Sequence, residues 1–427
     1  MSTETADGQV PWWKEPTKDQ WMAWLAGWLG WTLDAFDFTI FLLILVPVSQ
    51  AFHVPLAAVA LVVTLTLWMR LFGAVGAGWL ADRVGRKTPL MISIAWFSVC
   101  NFIAGFSPTF GFLALFRALL GLGMGGEWPA GAALAMEAWP ARSRGLMSGV
   151  LQGSWNLGFL AASLVYGALF EHIGWRGMLW VGIVPALAIV YVRFFVKESA
   201  VWQENRRLQR AQGREVRMPL ARIFRKRGLG NTLNASWWMI SSFVVYYSIN
   251  TLFATHLEKD LGMRPAEIAL PIALTSVAGF IASVFWGWAA DTIGRRWAMI
   301  IPGVLAMAVA PLYLLTDNLG VIAAGFLLQG FFGQALYALN PSYLAERFPT
   351  EVRAVGSAFC YHIGAIAGGA VAPVLTVLAV NGHWGFGRAM LAGTVVGCVS
   401  FVIALWLGPE TKGKALVADL DPLEATP

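Results

Sequence analysis

Five ionisable side chains stand inside runs that are otherwise apolar: Asp34, Asp37, Arg70, Arg117 and Glu127. Each costs about 2.5–3.5 kcal/mol to place in a membrane span and needs a partner there, so each marks a functional position by default. Asp34 and Asp37 are three residues apart in GWTLDAFDF, which puts both on one helix face. Two close carboxylates in a low dielectric cannot both ionise cheaply, so one is suited to carry a proton. An organic anion arriving at a nearby Arg competes with the acid for that Arg. The released acid can then take a proton, which is a physical route to symport of one proton with one anion. The structural alternative is a permanent pair of Asp34 or Asp37 with Arg70 or Arg117 that fixes helix packing.

Counting 1.5 Å of rise per residue places Asp34, Arg70 and Glu127 at one level near mid-membrane, with Arg117 roughly 15 Å further out. Asp34, Asp37 and Glu127 are the proton-coupling candidates. Glu127 can otherwise serve as a hydrogen-bonded helix-contact acid. Arg70 is the first candidate for gripping a carboxylate, because a guanidinium presents a planar two-pronged fork. Arg117 either joins it at the substrate or belongs to packing beside a glycine ladder. The C-terminal half offers neutral polar groups for the rest of the cargo: Tyr247, Asn250, Gln334, Asn340, Tyr361 and His362, with Tyr246, Gln329 and Tyr337 close by. Such residues also serve as interhelical glue. Trp237 and Trp238 are further candidates for lining a cavity.

These residues need elements to hold them in a membrane. The chain of 427 residues is 58% hydrophobic and 13% charged, with mean hydropathy +0.63. Soluble domains carry roughly 25% charged residues. The composition thus excludes a water-soluble protein and implies an all-α membrane protein. Twelve runs are long enough to span at about 20 residues each: 21–50, 57–81, 89–107, 109–137, 146–170, 175–195, 231–257, 266–290, 297–315, 318–345, 355–380 and 385–407. Pro47, Pro129, Pro271, Pro341 and Pro373 inside them are tolerable where neighbouring helices satisfy the backbone. No charged region leads into a short cleavable apolar core, so no signal peptide is expected.

Basic residues orient the spans. Twenty fall on the side of the termini, among them Arg83, Arg142, Arg347, Arg353 and eleven in 193–227, against Arg176, Lys259, Arg264 and Arg388 on the other. By the positive-inside rule both termini are cytoplasmic, in a plasma (inner) membrane. The net charge of +6 then reflects topology and attraction to anionic lipid, not nucleic acid. Cys100, Cys360 and Cys398 lie in apolar runs without metal-ligand spacing, so neither disulfides nor a metal site is expected.

The chain is a tandem repeat. GWLADRVGRK (78–87) returns as GWAADTIGRR (287–296), and EAWPARSRGLMSG (137–149) returns as ERFPTEVRAVGSA (346–358). Asp82 to Asp291 and Pro140 to Pro349 share one offset of 209. The expected organisation is a tail (1–20), a six-helix bundle (21–196), a linker (197–229), a second six-helix bundle (230–408) and a tail (409–427). Parallel repeats pack about an axis along the membrane normal, with the binding site between them at mid-depth. Gly78 and Gly287 allow close helix packing. Asp82 with Arg86 and Lys87, and Asp291 with Arg295 and Arg296, read as charge latches that shut one end in one state. Helix capping and topology are the plainer explanation.

The repeat and these motifs resemble the major facilitator superfamily over essentially the whole chain. RALLGLGMGGEWP (117–129) is similar to its fourth-helix motif and PETKG (409–413) to the motif after its twelfth helix. WLGWTLDAFDF, RLFGAVGAGWLADRVGRK, GMGGEW and YHIGAIAGGAVAP resemble the sialate:proton symporter family, which includes lactate-type carriers. Aromatic-acid:proton symporters also carry Asp-x-x-Asp in the first helix, but Arg70 favours the sialate and lactate group. Extra central spans of enteric sialate carriers are lacking here. Tyr247 and Thr251 stand where yeast-type lactate permeases have His and Asp. The resemblance implies two six-helix bundles and proton-coupled import of a small organic anion, a monocarboxylate or sialic acid, by a monomer without cofactor. An aromatic or other carboxylate is the alternative cargo. A transporter-like nutrient sensor would carry long tails or soluble domains, and no Ser/His dyad or HExxH suggests an enzyme.

Overall fold

The computed structural model describes residues 11–213, 219–262 and 265–418, with the side chains of 56, 57, 219, 226, 227, 254 and 265–274 outside that description. Arg264, part of the 197–229 linker and the outer parts of both expected tails therefore lie outside the described residues. Within them the chain is helical throughout, with no strand.

Nine continuous segments are long and apolar enough to cross a membrane. One of these, Ala141–Phe195, contains two passes, because Gly174 interrupts the helix at φ 62°, ψ −173°. The bent pair Lys18–Leu43 and Leu45–Phe52 adds a pass with a 49° break. Lys226–Asn250 adds another, made less apolar by Asn231, Thr232, Asn234 and Ser236. The result is twelve passes in the order expected. We refer to them as the first to twelfth spans.

The helices start where their sequences can cap them. Thr17 and Gln20 form a reciprocal capping box at the first span. Thr109 accepts from the Phe112 amide at the fourth, and Asn318 from the Val321 amide at the tenth. Several spans are discontinuous. The seventh breaks between Asn250 and Phe253, and the eleventh at Ala370. The tenth breaks at Gln334 and again at Leu339, where Pro341 opens its last segment, Asn340–Arg347. Proline alone does not break a span, since Pro129 sits inside the unbroken Phe110–Ala138. The linker also folds, into helices Ala200–Ala211 and Pro219–Ile223.

The second span packs against the eleventh, and the fifth against the eighth. These two pairings are the same contact seen from each half of the repeat. Gly78 and Gly287 make the approach possible. A Cβ on Gly78 would lie 2.8 Å from the Val355 Cα, and one on Gly287 would lie 2.6 Å from the Gly145 carbonyl oxygen. Outward, the bundle shows apolar side chains such as Leu61, Phe72, Leu164 and Val396.

Candidate functional site: a buried charge cluster above a closed gate

The first, second and fourth spans bring Asp34, Arg70 and Glu127 together, as the depth count requires. Arg70 forms an ion pair with Asp34, and both are buried. Glu127 is fully buried against the backbone of Gly30. Neither of its carboxylate oxygens has a hydrogen-bond partner among the described residues, and the charges acting on it are Asp34 and Arg70. Asp37 instead faces Arg117 and Asn101. Arg117 donates to Asn101 Oδ1 at 3.2 Å and holds its guanidinium 4.0 Å from the centre of the Phe41 ring. The two aspartates thus share a helix face but not a partner. Asp34 is paired with Arg70, whereas Asp37 only feels the charge of Arg117, and its two oxygens, like those of Glu127, have no hydrogen-bond partner among the described residues. Three carboxylates face two guanidiniums, and all five side chains are buried in the bundle. An unpaired buried carboxylate is costly to leave charged. The arrangement is electrically balanced once one acid carries a proton.

The charge of Arg70 also reaches three residues of the other half: Tyr247, Tyr361 and His362. Tyr361 stacks on Trp128 at 4.1 Å and lies 6.2 Å from Trp31, so two N-terminal rings meet a C-terminal one. Gln152 accepts from the Trp128 indole at 3.5 Å. Imidazole Nδ1 of His362 is 3.0 Å from the Ala358 carbonyl of its own helix. Asn250 donates to the Tyr246 carbonyl at 2.9 Å. Gln334 packs its stem against Gly279. Asn340 is fully buried at the second break of the tenth span, where Ser148 donates to the Ala338 carbonyl and accepts from the Ser342 amide, at 2.9 and 3.1 Å. Nothing among the described contacts joins Asn250, Gln334 or Asn340 to Arg70. The tryptophans considered for the cavity do not line it. Trp237 turns outward and donates to Ser400, while Trp238 is fully buried against Tyr343.

Toward the end that carries the termini and basic loops, the halves are locked by a duplicated network. Asp82 pairs with Arg86 at 2.7 Å and accepts from the amides of Ala354 and Val355, which open the eleventh span. Asp291 pairs with Arg295 at 2.6 Å and accepts from the amides of Gly145 and Leu146, which open the fifth. Each acid therefore sits on the amide-rich start of a helix in the opposite half, where the helix dipole favours it. Glu137 accepts from Arg86, from Arg353 of the other half at 2.7 Å, and from Ser199 at 2.5 Å. Its repeat partner Glu346 accepts from Arg295 and Thr411 and pairs with Arg144 across the halves. Burial works against the charge of Arg86, but Glu137 and Asp82 more than offset it and hold its pKa above the ordinary value.

The latch differs from expectation in two members. Lys87 does not reach Asp82; it donates to the Arg193 and Val196 carbonyls at the end of the sixth span. Arg296 does not reach Asp291; it donates to the Trp406 carbonyl at the end of the twelfth. In each basic pair the first residue turns into the interface, and the second ties a carbonyl end within its own half. Sequence reasoning missed Glu137 and Glu346 as gate residues, although both begin the second repeated motif. It also missed Glu198 and Glu410, which accept from the first amides of the third and ninth spans. The signal was a short one: Glu198-Ser199 and Glu410-Thr411 are the same dipeptide pattern after each bundle. Trp31, Trp128, Gln152 and Trp155 were missed because a tryptophan in a membrane span usually marks an interface or a packed core.

The chain matches the Major Facilitator Superfamily model over residues 27–255 and 238–422. It belongs to that family, and it is a secondary transporter, a non-enzymatic class. A probable 4-methylmuconolactone transporter of Cupriavidus pinatubonensis is 30% identical over 95% of this chain and 94% of its own. The cis,cis-muconate transport protein of Acinetobacter baylyi is 27% identical, covering 88% of this chain and 92% of that protein. The sialic acid transporter NanX of Escherichia coli is 26% identical, covering 94% and 97%. Among solved structures, the proton:xylose symporter XylE superposes with a TM-score of 0.73 at 19% identity, over 95% of this chain and 99% of that one.

Proposed function

We propose that this transporter is a proton-coupled symporter that imports a small organic anion, of the monocarboxylate class, across the plasma membrane, with its basic end in the cytoplasm. The observation that carries the proposal is the surplus of acid: Asp34, Asp37 and Glu127 around Arg70 and Arg117, with only Asp34 in an ion pair and Glu127 and Asp37 without hydrogen-bond partners among the described residues. Relatives named for muconate, methylmuconolactone and sialic acid support an organic-acid cargo. With the basic end shut, the anion enters from the opposite side and competes with Asp34 for Arg70. Asp34, displaced from Arg70, then takes a second proton from the outside while Glu127 keeps the first, so that three acids, two protons, two guanidiniums and one anion make a neutral loaded cluster. Loss of net charge permits the halves to rock about their interface, which releases Asp82 and Asp291 from the opposing amides. Delivery to the cytoplasm follows as the acid loses its proton and reclaims Arg70. The transporter works as a monomer, since one chain supplies every group named.

The test uses proteoliposomes and an uptake screen over lactate, pyruvate, sialate, dicarboxylates and aromatic acids. Once a cargo is found, Asp34→Asn and Glu127→Gln should each abolish accumulation driven by a pH gradient while leaving counterflow exchange. Normal gradient-driven accumulation by both variants would defeat the coupling scheme.

A further inference from the structure

We propose that the cargo is a planar, conjugated carboxylate, held by Arg70 at its carboxylate and between aromatic rings over its flat body. This rests on the symport reading above and narrows its substrate class. Beyond the charged groups, the surroundings of Arg70 are rings. Its guanidinium lies 5.9 Å from the centre of the Phe38 ring, and Phe38 lies 5.9 Å from Trp155. Trp155 is 4.7 Å from Trp31. From the other half, Tyr361 meets Phe243 at 5.2 Å, and Tyr247 stands within reach of the Arg70 charge.

These rings divide into two sets by exposure. Trp31, Trp128 and Tyr361 are buried in one another. Phe38, Trp155 and Tyr247 are only half-buried, so packing does not close them off as it does the first set. A planar π-system can use such faces by offset or edge contact. A polyhydroxylated acid makes the opposite demand, since each hydroxyl drawn from water needs a partner. The amides that could answer such hydroxyls, Asn250, Gln334 and Asn340, make no described contact with Arg70. Nδ1 of His362 is engaged by the Ala358 carbonyl, and the amide nitrogen of Asn250 by the Tyr246 carbonyl.

Calorimetry on the purified full chain would compare benzoate, cyclohexanecarboxylate and N-acetylneuraminate. The first two share a carboxylate and a six-membered ring, and only benzoate has π faces. Benzoate should bind about tenfold tighter than cyclohexanecarboxylate, with N-acetylneuraminate weakest. Trp155→Leu should bring the first two together while cyclohexanecarboxylate binding persists, which shows that the variant is folded. Equal affinity for the two ring acids, tightest binding of N-acetylneuraminate, or no binding of any of the three would overturn the proposal. Proton entry in proteoliposomes is read separately. If protons enter with a non-planar acid, symport stands and only the narrowing falls. If benzoate is preferred but brings no proton, the cargo class stands and the symport reading falls.

Discussion

Arg70 is asked to do two things at one time, and its chemistry suits both. It neutralises Asp34 in the empty site and offers the same fork to an incoming carboxylate. A lysine would keep the charge and lose the paired donors. Arg70→Lys should therefore weaken carboxylate binding by about tenfold or more, since cutting a buried charge-assisted contact costs roughly 2–5 kcal/mol. Equilibrium binding measures this, and unchanged affinity would reassign Arg70 to packing. At this scale the sequence was informative about the acids and Arg70, because an ionisable group in an apolar run needs no further context to be noticed. It was uninformative about which Arg serves which Asp. That depends on how three helices rotate against one another, and the spacing of Asp34 and Asp37 gave both the same face.

At the scale of elements, the gate is a set of helix ends. Asp82 and Asp291 each close on the start of a span from the opposite half, and Glu137 gathers an Arg from each half. In the proposed cycle these contacts exist only while the basic end is shut. Breaking a buried pair by removing one partner costs about 3–5 kcal/mol, enough to shift an equilibrium between two packed states. Glu137→Gln should thus favour opening at the basic end. Ser148→Cys, placed where the fifth span meets the tenth, reports the change. Its thiol labelling should speed up about tenfold in the Glu137→Gln background, and an unchanged rate would show that the network is not a gate. Twelve spans, their order and the repeat were legible in hydropathy and in the 209-residue offset. The breaks in the seventh, tenth and eleventh spans were not, because Pro129 leaves its helix intact while Gln334 and Ala370 mark breaks without being prolines. Lys87 and Arg296 were misplaced for a related reason. Adjacent residues on a helix start point in different directions, and the motif does not say which one faces the partner.

At the scale of the molecule, the central charge is confined to one half of the repeat, while aromatic rings around Arg70 come from both. The N-terminal half holds every member of the central charge cluster, and the C-terminal half answers with Tyr247, Tyr361 and His362. In the proposed symport, such a division has one half carry the proton while the other meets the cargo. Both halves contribute equally to the gate, where the duplicated acids and arginines mirror one another. The same ancestral contact is thus kept at the end that must open and shut, and replaced in the middle where proton and cargo must be told apart. The account stands on the claim that proton and anion cross together. The direct measurement is simultaneous: in proteoliposomes without an imposed pH gradient, adding the anion outside should raise external pH in step with its uptake. Uptake of the anion with no movement of protons would contradict it.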